Sequence, residues 1–118
     1  MPEEPVLDDR IVDGLRRLGD EVLREIAHLW FDNLEPGLDA MRTALAGEDR
    51  PALTAAAHTL RGSAANVGAA RLAAGCAALE LAAKDRPTSD LQGLFDAVAA
   101  EAASAHDAMA KVAAEPSA

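Results

Sequence analysis

The last third of the sequence carries the pattern that most restricts the fold. Between positions 91 and 112, apolar residues recur at alternating spacings of three and four, the spacing of one face of an α-helix. The stripe consists of Leu91, Leu94, Phe95, Val98, Ala102, Ala105, Met109 and Val112. It predicts a long amphipathic helix.

The composition extends this prediction to the whole chain. Of the 118 residues 29 are alanine, aromatic residues make up only 3%, and there is no tyrosine. Alanine has the highest helix propensity, and few residues here are β-branched. An all-α domain with closely packed helices is therefore expected.

Two helical patterns precede position 48. The first is a short apolar stripe that ends at Gly19 and is formed by Leu7, Ile11, Leu15 and Leu18. The second begins with Asp20 as its cap and runs to Gly47. Because proline lacks a backbone donor and clashes with the preceding turn, Pro36 predicts a kink or a short break near residues 33–36.

The third pattern, opened by Asp49 and Pro51, carries His58 and ends near Gly68. Its core stripe is predicted to be Leu53, Leu60, Ala64 and Val67. The fourth pattern runs from about residue 69 to 84. Its inward residues are predicted to be Leu72, Cys76, Leu79 and Ala83.

The fifth pattern is the stripe from 91 to 112, separated from the fourth by Pro87. Ser89 and Gln92 have the spacing of a capping box for its first turn. Short connections between long helices imply antiparallel neighbours. We therefore expect an antiparallel up-and-down four-helix bundle with an additional short N-terminal helix as a lid.

The length of the chain predicts one domain spanning residues 1–118, ordered over about residues 7–114. Residues 1–6 and 115–118 are polar and rich in proline, and are expected to fray. Met1 and the polar tail favour a free-standing protein over a piece of a longer kinase.

Charge and cysteine content exclude several classes of function. The formal net charge is −9, which disfavours nucleic acid and anionic membranes as partners, because both require a basic surface. The single cysteine, Cys76, allows no internal disulfide and no cysteine metal cluster. The sequence shows neither a membrane span nor a signal peptide, and we expect a cytoplasmic protein without a bound metal or cofactor.

His58 is the candidate functional residue, because it lies among small residues with a cation nearby. At about 100° per residue, it falls roughly 160° from the core residue Leu60 and points away from the core. Arg61 and Gly62 follow at positions i+3 and i+4 and share its helix face. A core histidine fits this face poorly, whereas an ordinary surface histidine remains an alternative.

Phosphoryl transfer suits such a site. A neutral imidazole has one nitrogen with a free lone pair that can attack phosphorus, and Arg61 could offset the added negative charge. The sequence has no Walker loop, no kinase glycine loop and no pair of aspartates for magnesium. We therefore expect a protein that is not an enzyme with its own ATP site, and that exchanges its phosphoryl group with partners.

The sequence from His58 to Ala69, HTLRGSAANVGA, together with LAAGCAALE from Leu72 to Glu80, resembles the histidine-containing phosphotransfer (HPt) domains of two-component phosphorelays. The likeness is close over residues 49–84. It extends more loosely through Phe31, Leu34, Pro36, Leu45 and Asp49. The resemblance implies a helical bundle in which His58 is phosphorylated. This sequence differs from the family in having Arg61 where the family usually has lysine.

The resemblance also implies further site residues. Glu80 corresponds to a residue that contacts the imidazole, and accepting from Nδ1 would leave Nε2 free to attack. Lys84 corresponds to a basic residue near the phosphate, although an ordinary solvent-exposed Glu80–Lys84 ion pair is an alternative. The expected partner-binding residues are Gly62, Thr54, Ser63, Ala65 and Phe31.

The implied function is that of a phosphocarrier, expected to be a monomer, between aspartates of receiver domains in response regulators or hybrid histidine kinases. The receivers would supply Mg²⁺. The alternative is a helical adaptor that binds a receiver or kinase without phosphotransfer. A metal-binding bundle is a weaker alternative, because Glu25 and His28 have the spacing of di-iron ligands but neither His58 nor His106 has a glutamate three residues before it.

Overall fold

The computed structural model describes residues 4–116 and contains five α-helices. Their bounds are α1 Asp9–Arg17, α2 Asp20–Ala46, α3 Arg50–Asn66, α4 Ala70–Ala82 and α5 Thr88–Ala114. Helices α2 to α5 form a closed ring of contacts in which each packs against two others, and α1 packs against α2. The predicted all-α four-helix bundle with an additional N-terminal helix is confirmed.

The core is built from the apolar stripes that the sequence shows. On α4, Leu72, Cys76 and Leu79 are completely buried, and Ala83 just beyond the helix is buried as well. On α5 the predicted stripe is buried except for two residues that pack at its edge, Leu94 and Val112. The core therefore lies along the bundle axis between four helices.

The N-terminal helix packs differently from the predicted stripe. Val12 is its buried residue, whereas Ile11 is 39% and Leu18 56% exposed. The reason is that α1 is only nine residues long and packs mainly against α2, so Val12 is the one residue of α1 that is buried. The predicted stripe of α1 was wrong in these positions.

The start of α2 and its proline also differ from expectation. Gly19, with φ of +104°, occupies the cap position, so Asp20 is the first helical residue and not the cap. The helix runs unbroken through Pro36 to Ala46, and the expected break is absent from it. Pro36 lies on the exposed side of α2, where water can bond the backbone carbonyl that loses its donor.

The predicted capping box of α5 was also wrong. The helix begins at Thr88, directly after Pro87 in the cap position, and Ser89 lies inside the first turn. Gln92 donates to Asp96 at 2.9 Å instead of capping the backbone. Pro87 has the extended backbone of a residue that precedes a helix, so the helix begins after it without a side-chain cap.

The segment before α1 is fixed to the turn between α3 and α4. The Arg71 backbone N–H donates to Pro5 O at 3.0 Å, and the Asp8 N–H donates to Gly68 O at 2.7 Å. These two bonds attach the segment before α1 to the first residues of α4 and the turn before them, and the expected fraying of the ends stays a prediction. Residues 1–3 and 117–118 lie outside the described residues.

Gly68 is the position where this packing requires glycine. Its φ is +78°, and a Cβ added there would lie 2.9 Å from Ile11 Cβ. We predict that Gly68→Ala lowers the free energy of unfolding by about 2 kcal/mol or more, because an L-residue is strained at this φ and Ile11 must move. Urea unfolding measures this change.

The matched control is Gly93→Ala on α5, where an added Cβ meets nothing within 4 Å and φ is helical. This substitution should stabilise the protein by up to about 1 kcal/mol. Equal effects of the two substitutions would contradict the account of Gly68.

Candidate functional site around His58

Helix α3 positions His58 on the solvent side of the bundle. The Asp49 side chain caps the helix by accepting from Ala52 N at 3.0 Å. The opposite face is buried through Leu53, Ala57, Leu60 and Ala64. The helix is thus held against the core by one face, and the His58 side chain on the other is 63% exposed.

Helix α4 brings a carboxylate to the imidazole. Glu80 follows the fully buried Leu79 and is only 20% exposed at its side chain. Its Oε2 lies 3.0 Å from His58 Nδ1. The predicted contact between Glu80 and the imidazole is present in the structure.

Arg61 connects both groups. Its Nη2 lies 3.1 Å from His58 Nδ1, and its Nη1 lies 3.3 Å from Glu80 Oε1. The second contact has the distance of an ion pair but not the alignment of a hydrogen bond, since this buried oxygen accepts none from residues 4–116. His58, Arg61 and Glu80 therefore form a compact triad across α3 and α4.

The two contacts at Nδ1 are alternatives in a neutral imidazole. If Nδ1 carries the proton, it donates to Glu80 and leaves Nε2 with its lone pair. If Nδ1 is unprotonated, it accepts from Arg61 and Nε2 carries the proton. The triad can thus hold either tautomer. Movement of Arg61 away from Nδ1 selects the tautomer with the proton on Nδ1 and the lone pair on Nε2.

An open groove of about 710 Å³ runs beside the imidazole between α3 and α4. Thr54 and Lys84 line it together with His58 and Glu80. Lys84 lies in the turn after α4 and not on the helix as predicted, because α4 ends at Ala82. Glu80 pairs with His58 and Arg61. The alternative of a simple Glu80–Lys84 ion pair therefore does not describe its contacts.

The groove also contains Arg50, which the sequence reasoning missed. Arg50 Nη1 donates to the backbone oxygen of Ala83 at 3.1 Å. Arg50, Thr54 and His58 are spaced four residues apart and therefore share one side of α3. That spacing could have indicated Arg50 from the sequence, whereas its carbonyl partner could not be seen there.

The expected partner-binding residues fall into two groups. Gly62 is exposed, with open space where a side chain would begin, Ala65 is exposed and Ser63 is half-buried, all on α3. Phe31 lies elsewhere: its ring packs 4.5 Å from that of His106 on α5. Gly62 and Ala65 thus share the helix face of His58, Ser63 lies about 140° around α3 from it, and Phe31 lies at the contact of α2 with α5.

Comparison with known proteins agrees with this arrangement. The family model described as "Hpt domain" matches residues 25–113. The chain belongs to the Hpt domain family. No curated protein matches the sequence.

Two solved structures resemble this Hpt domain. Histidine-containing phosphotransfer protein B from Pseudomonas aeruginosa PAO1 is 26% identical, with a TM-score of 0.86 over 92% of this chain and 95% of that chain. A rice protein described as a histidine-containing phosphotransfer protein is 19% identical, with a TM-score of 0.82 over 91% of this chain and 80% of that chain. The rice likeness shows the fold, and the family supports a phosphocarrier role in phosphorelays.

Residues 4–116 contain neither a candidate metal site nor a candidate membrane span. No group of three or more His, Cys, Asp and Glu side chains in this range could hold a metal ion. Within the same range no helix has the length and apolar content needed to cross a membrane.

Cys76 lies below the triad in the core of this Hpt domain. Burial first, and the negative charge of Glu80 second, raise the pKa of the Cys76 thiol to about 12, although the positive charge of Arg61 offsets part of the shift. The thiol therefore stays protonated in the folded protein well above the pH at which it ionises in the unfolded chain.

We predict that this thiol makes stability fall at alkaline pH. Between pH 9 and 12 the unfolded state releases the proton that the folded state keeps, so the Cys76 contribution to the free energy of unfolding decreases with a slope approaching about 1.4 kcal/mol per pH unit. Urea unfolding of wild type and Cys76→Ala from pH 8 to 11 measures it. The stability difference should change only above pH 9; parallel curves throughout would contradict the shift.

Proposed function

We propose that this Hpt domain is a phosphorelay phosphocarrier in which His58 accepts a phosphoryl group from a receiver-domain aspartate and passes it to a response-regulator aspartate. The observation that carries the proposal is the exposed imidazole with Nδ1 3.0 Å from Glu80 Oε2. An ordinary surface histidine has no need of a half-buried carboxylate from a second helix. Membership of the Hpt domain family supports the same role.

Glu80 prepares the imidazole as a nucleophile. By accepting from Nδ1–H it favours the tautomer in which Nε2 keeps its lone pair. His58 is 63% exposed at its side chain, so a partner can reach this nitrogen. Because Glu80 is held by the packing of Leu79, the imidazole is oriented without a folding step at the moment of transfer.

The transfer itself needs one bond formed and one broken. The Nε2 lone pair attacks phosphorus, the P–O bond to the receiver aspartate breaks, and the carboxylate leaves with the bonding electrons. The proton on Nδ1 stays shared with Glu80, so the imidazole ring needs no external base. Return transfer to the second aspartate is the reverse of this step.

Arg61 supplies the charge that the added phosphoryl group requires. In the unmodified protein it is paired with Glu80 Oε1 at 3.3 Å. A guanidinium 42% exposed at its side chain can turn toward a phosphoryl group on the neighbouring imidazole and donate two charge-assisted hydrogen bonds. Lys84 at the edge of the groove adds a second cation.

The partners in this proposal are receiver domains of response regulators or hybrid histidine kinases, which supply Mg²⁺. ATP binding is left to the kinases, since Hpt proteins are phosphocarriers and not kinases. We also propose that residues 1–118 form one domain that acts as a monomer. The cytoplasmic location stays a prediction from the sequence.

We predict that His58→Gln abolishes phosphorylation by a phosphorylated receiver and changes stability by no more than about 0.5 kcal/mol, because the side chain faces solvent and the amide can still donate to Glu80. The measurement is transfer of radiolabelled phosphate, with thermal unfolding as the stability check. The label should be acid-labile and base-stable.

The control is His106→Gln on α5, whose side chain is also exposed, at 48%. It should accept phosphate like wild type. If His58→Gln keeps its label, the phosphorylated residue is not His58. If wild type binds receivers but never takes a label, the adaptor alternative replaces the phosphocarrier.

We further predict that Gly62→Gln impairs transfer from a receiver while leaving the protein as stable as wild type or more so. Glycine in a helix is less favourable than glutamine by up to about 1 kcal/mol, and an added Cβ meets nothing at this position. The new side chain would obstruct a docking partner one turn from His58.

Gly93→Gln on α5 is the matched control, because it is also an exposed helical glycine with open space around it. It should gain similar stability and transfer normally. Equal transfer rates for both variants would show that receivers do not dock over Gly62.

A further inference from the structure

Arg50 links the beginning of α3 to the end of α4. It is the first residue of α3, and its Nη1 donates to Ala83 O at 3.1 Å in a partly buried contact. The contact joins positions 33 residues apart, so it depends on the tertiary fold and not on local sequence. One side chain thus bridges the two helices that form the His58 groove.

The turn after α4 is stabilised by the hydrogen bond from Arg50 to the Ala83 carbonyl. Ala83 is the C-terminal cap of α4, so its carbonyl lies beyond the hydrogen-bonded ladder of the helix. Two of the backbone bonds that follow are long, Lys84 N–H to Leu81 O at 3.4 Å and Asp85 N–H to Ala82 O at 3.3 Å, whereas Arg86 N–H to Ala82 O is 2.9 Å. A cation at a helix C-terminus also stabilises the negative end of the helix dipole.

Lys84 is the next residue after the carbonyl that Arg50 holds. It lines the same groove as Arg50 and His58. Because Lys84 lies in a turn and not on α4, the direction of its side chain depends on how firmly that turn is held. Arg50 restricts this turn through its hydrogen bond to Ala83, the residue directly before Lys84.

We propose that Arg50 is a positioning residue for phosphoryl transfer, which acts by fixing the turn after α4 so that Lys84 stays at the edge of the His58 groove. The inference rests on the proposed function, because it assigns Lys84 to the phosphoryl group. Arg50 itself does not contact His58; its guanidinium is bound to the Ala83 carbonyl.

The first test is a double-mutant cycle on the rate of transfer from a phosphorylated receiver, with Arg50→Ala, Lys84→Ala and the double variant. Arg50→Ala should slow transfer on the order of 3- to 10-fold, as loosening a group through its neighbour does. Because Arg50 acts through Lys84, the double variant should be no slower than Lys84→Ala alone. A double variant slowed by the product of both single effects would overturn the proposal.

Two further variants separate positioning from stability and charge. Arg50→Lys keeps a charged donor and should recover most of the rate. Arg86→Ala removes an exposed arginine from the same turn, one that pairs with Asp90, and should transfer like wild type. If Arg86→Ala is slowed as much as Arg50→Ala, net charge and not positioning is responsible.

The second test does not require a receiver. Amide hydrogen exchange should become faster at Asp85 and Arg86 in Arg50→Ala, since both amides bond Ala82 O in the held turn, while the α3 amides near His58 stay protected. Unchanged exchange in the turn would overturn the role of Arg50. If wild type takes no phosphate but the turn loosens, the proposed function fails and the structural role of Arg50 stands.

Discussion

The packing of α3 against α4 is the contact on which the site depends. The two helices are joined by a short turn, and their buried residues include the small Ala57, Ala64 and Cys76. Small side chains let helix axes approach closely. The docked helices bring Glu80 Oε2 of α4 within 3.0 Å of the imidazole of α3. Alanine therefore serves the packing of the two helices as well as helix formation.

The site combines an exposed nucleophile with partly buried support. His58 must be accessible to partners, and an exposed side chain ordinarily samples several rotamers and tautomers. Glu80 is 20% exposed at its side chain and lies one turn after the buried Cys76 on α4, near enough for its charge to raise the pKa of that thiol, so its own position is limited by the core. The same core that raises the pKa of Cys76 thus restricts the imidazole through the carboxylate. Burial of the support gives order to a group that cannot itself be buried.

The sequence predicted those features that depend on helical spacing. His58 on the solvent face and Arg61 one turn later follow from positions along a single helix, and the structure places them as expected. Glu80 required the family resemblance, because contact between residues 22 apart depends on how two helices dock. The spacing of Arg50 from Thr54 and His58 could have indicated it, but its backbone carbonyl partner has no sequence signature. The capping box at Ser89 was wrong because Pro87 occupies the cap position of α5, and α2 continues without a break because Pro36 lies on its exposed side.

Charge around His58 bears on how such a site can both take and give a phosphoryl group. The chain carries a net charge of −9, and adding phosphate increases the negative charge. Arg61 is paired with Glu80 Oε1 at 3.3 Å in the unmodified protein, so turning toward the phosphoryl group gives up that ion pair and offsets part of the interaction energy gained. A free arginine would bind the phosphoryl group more strongly and slow its departure. In the proposed carrier, the Glu80–Arg61 pair therefore keeps the two states close in free energy, as reversible transfer between two aspartates requires.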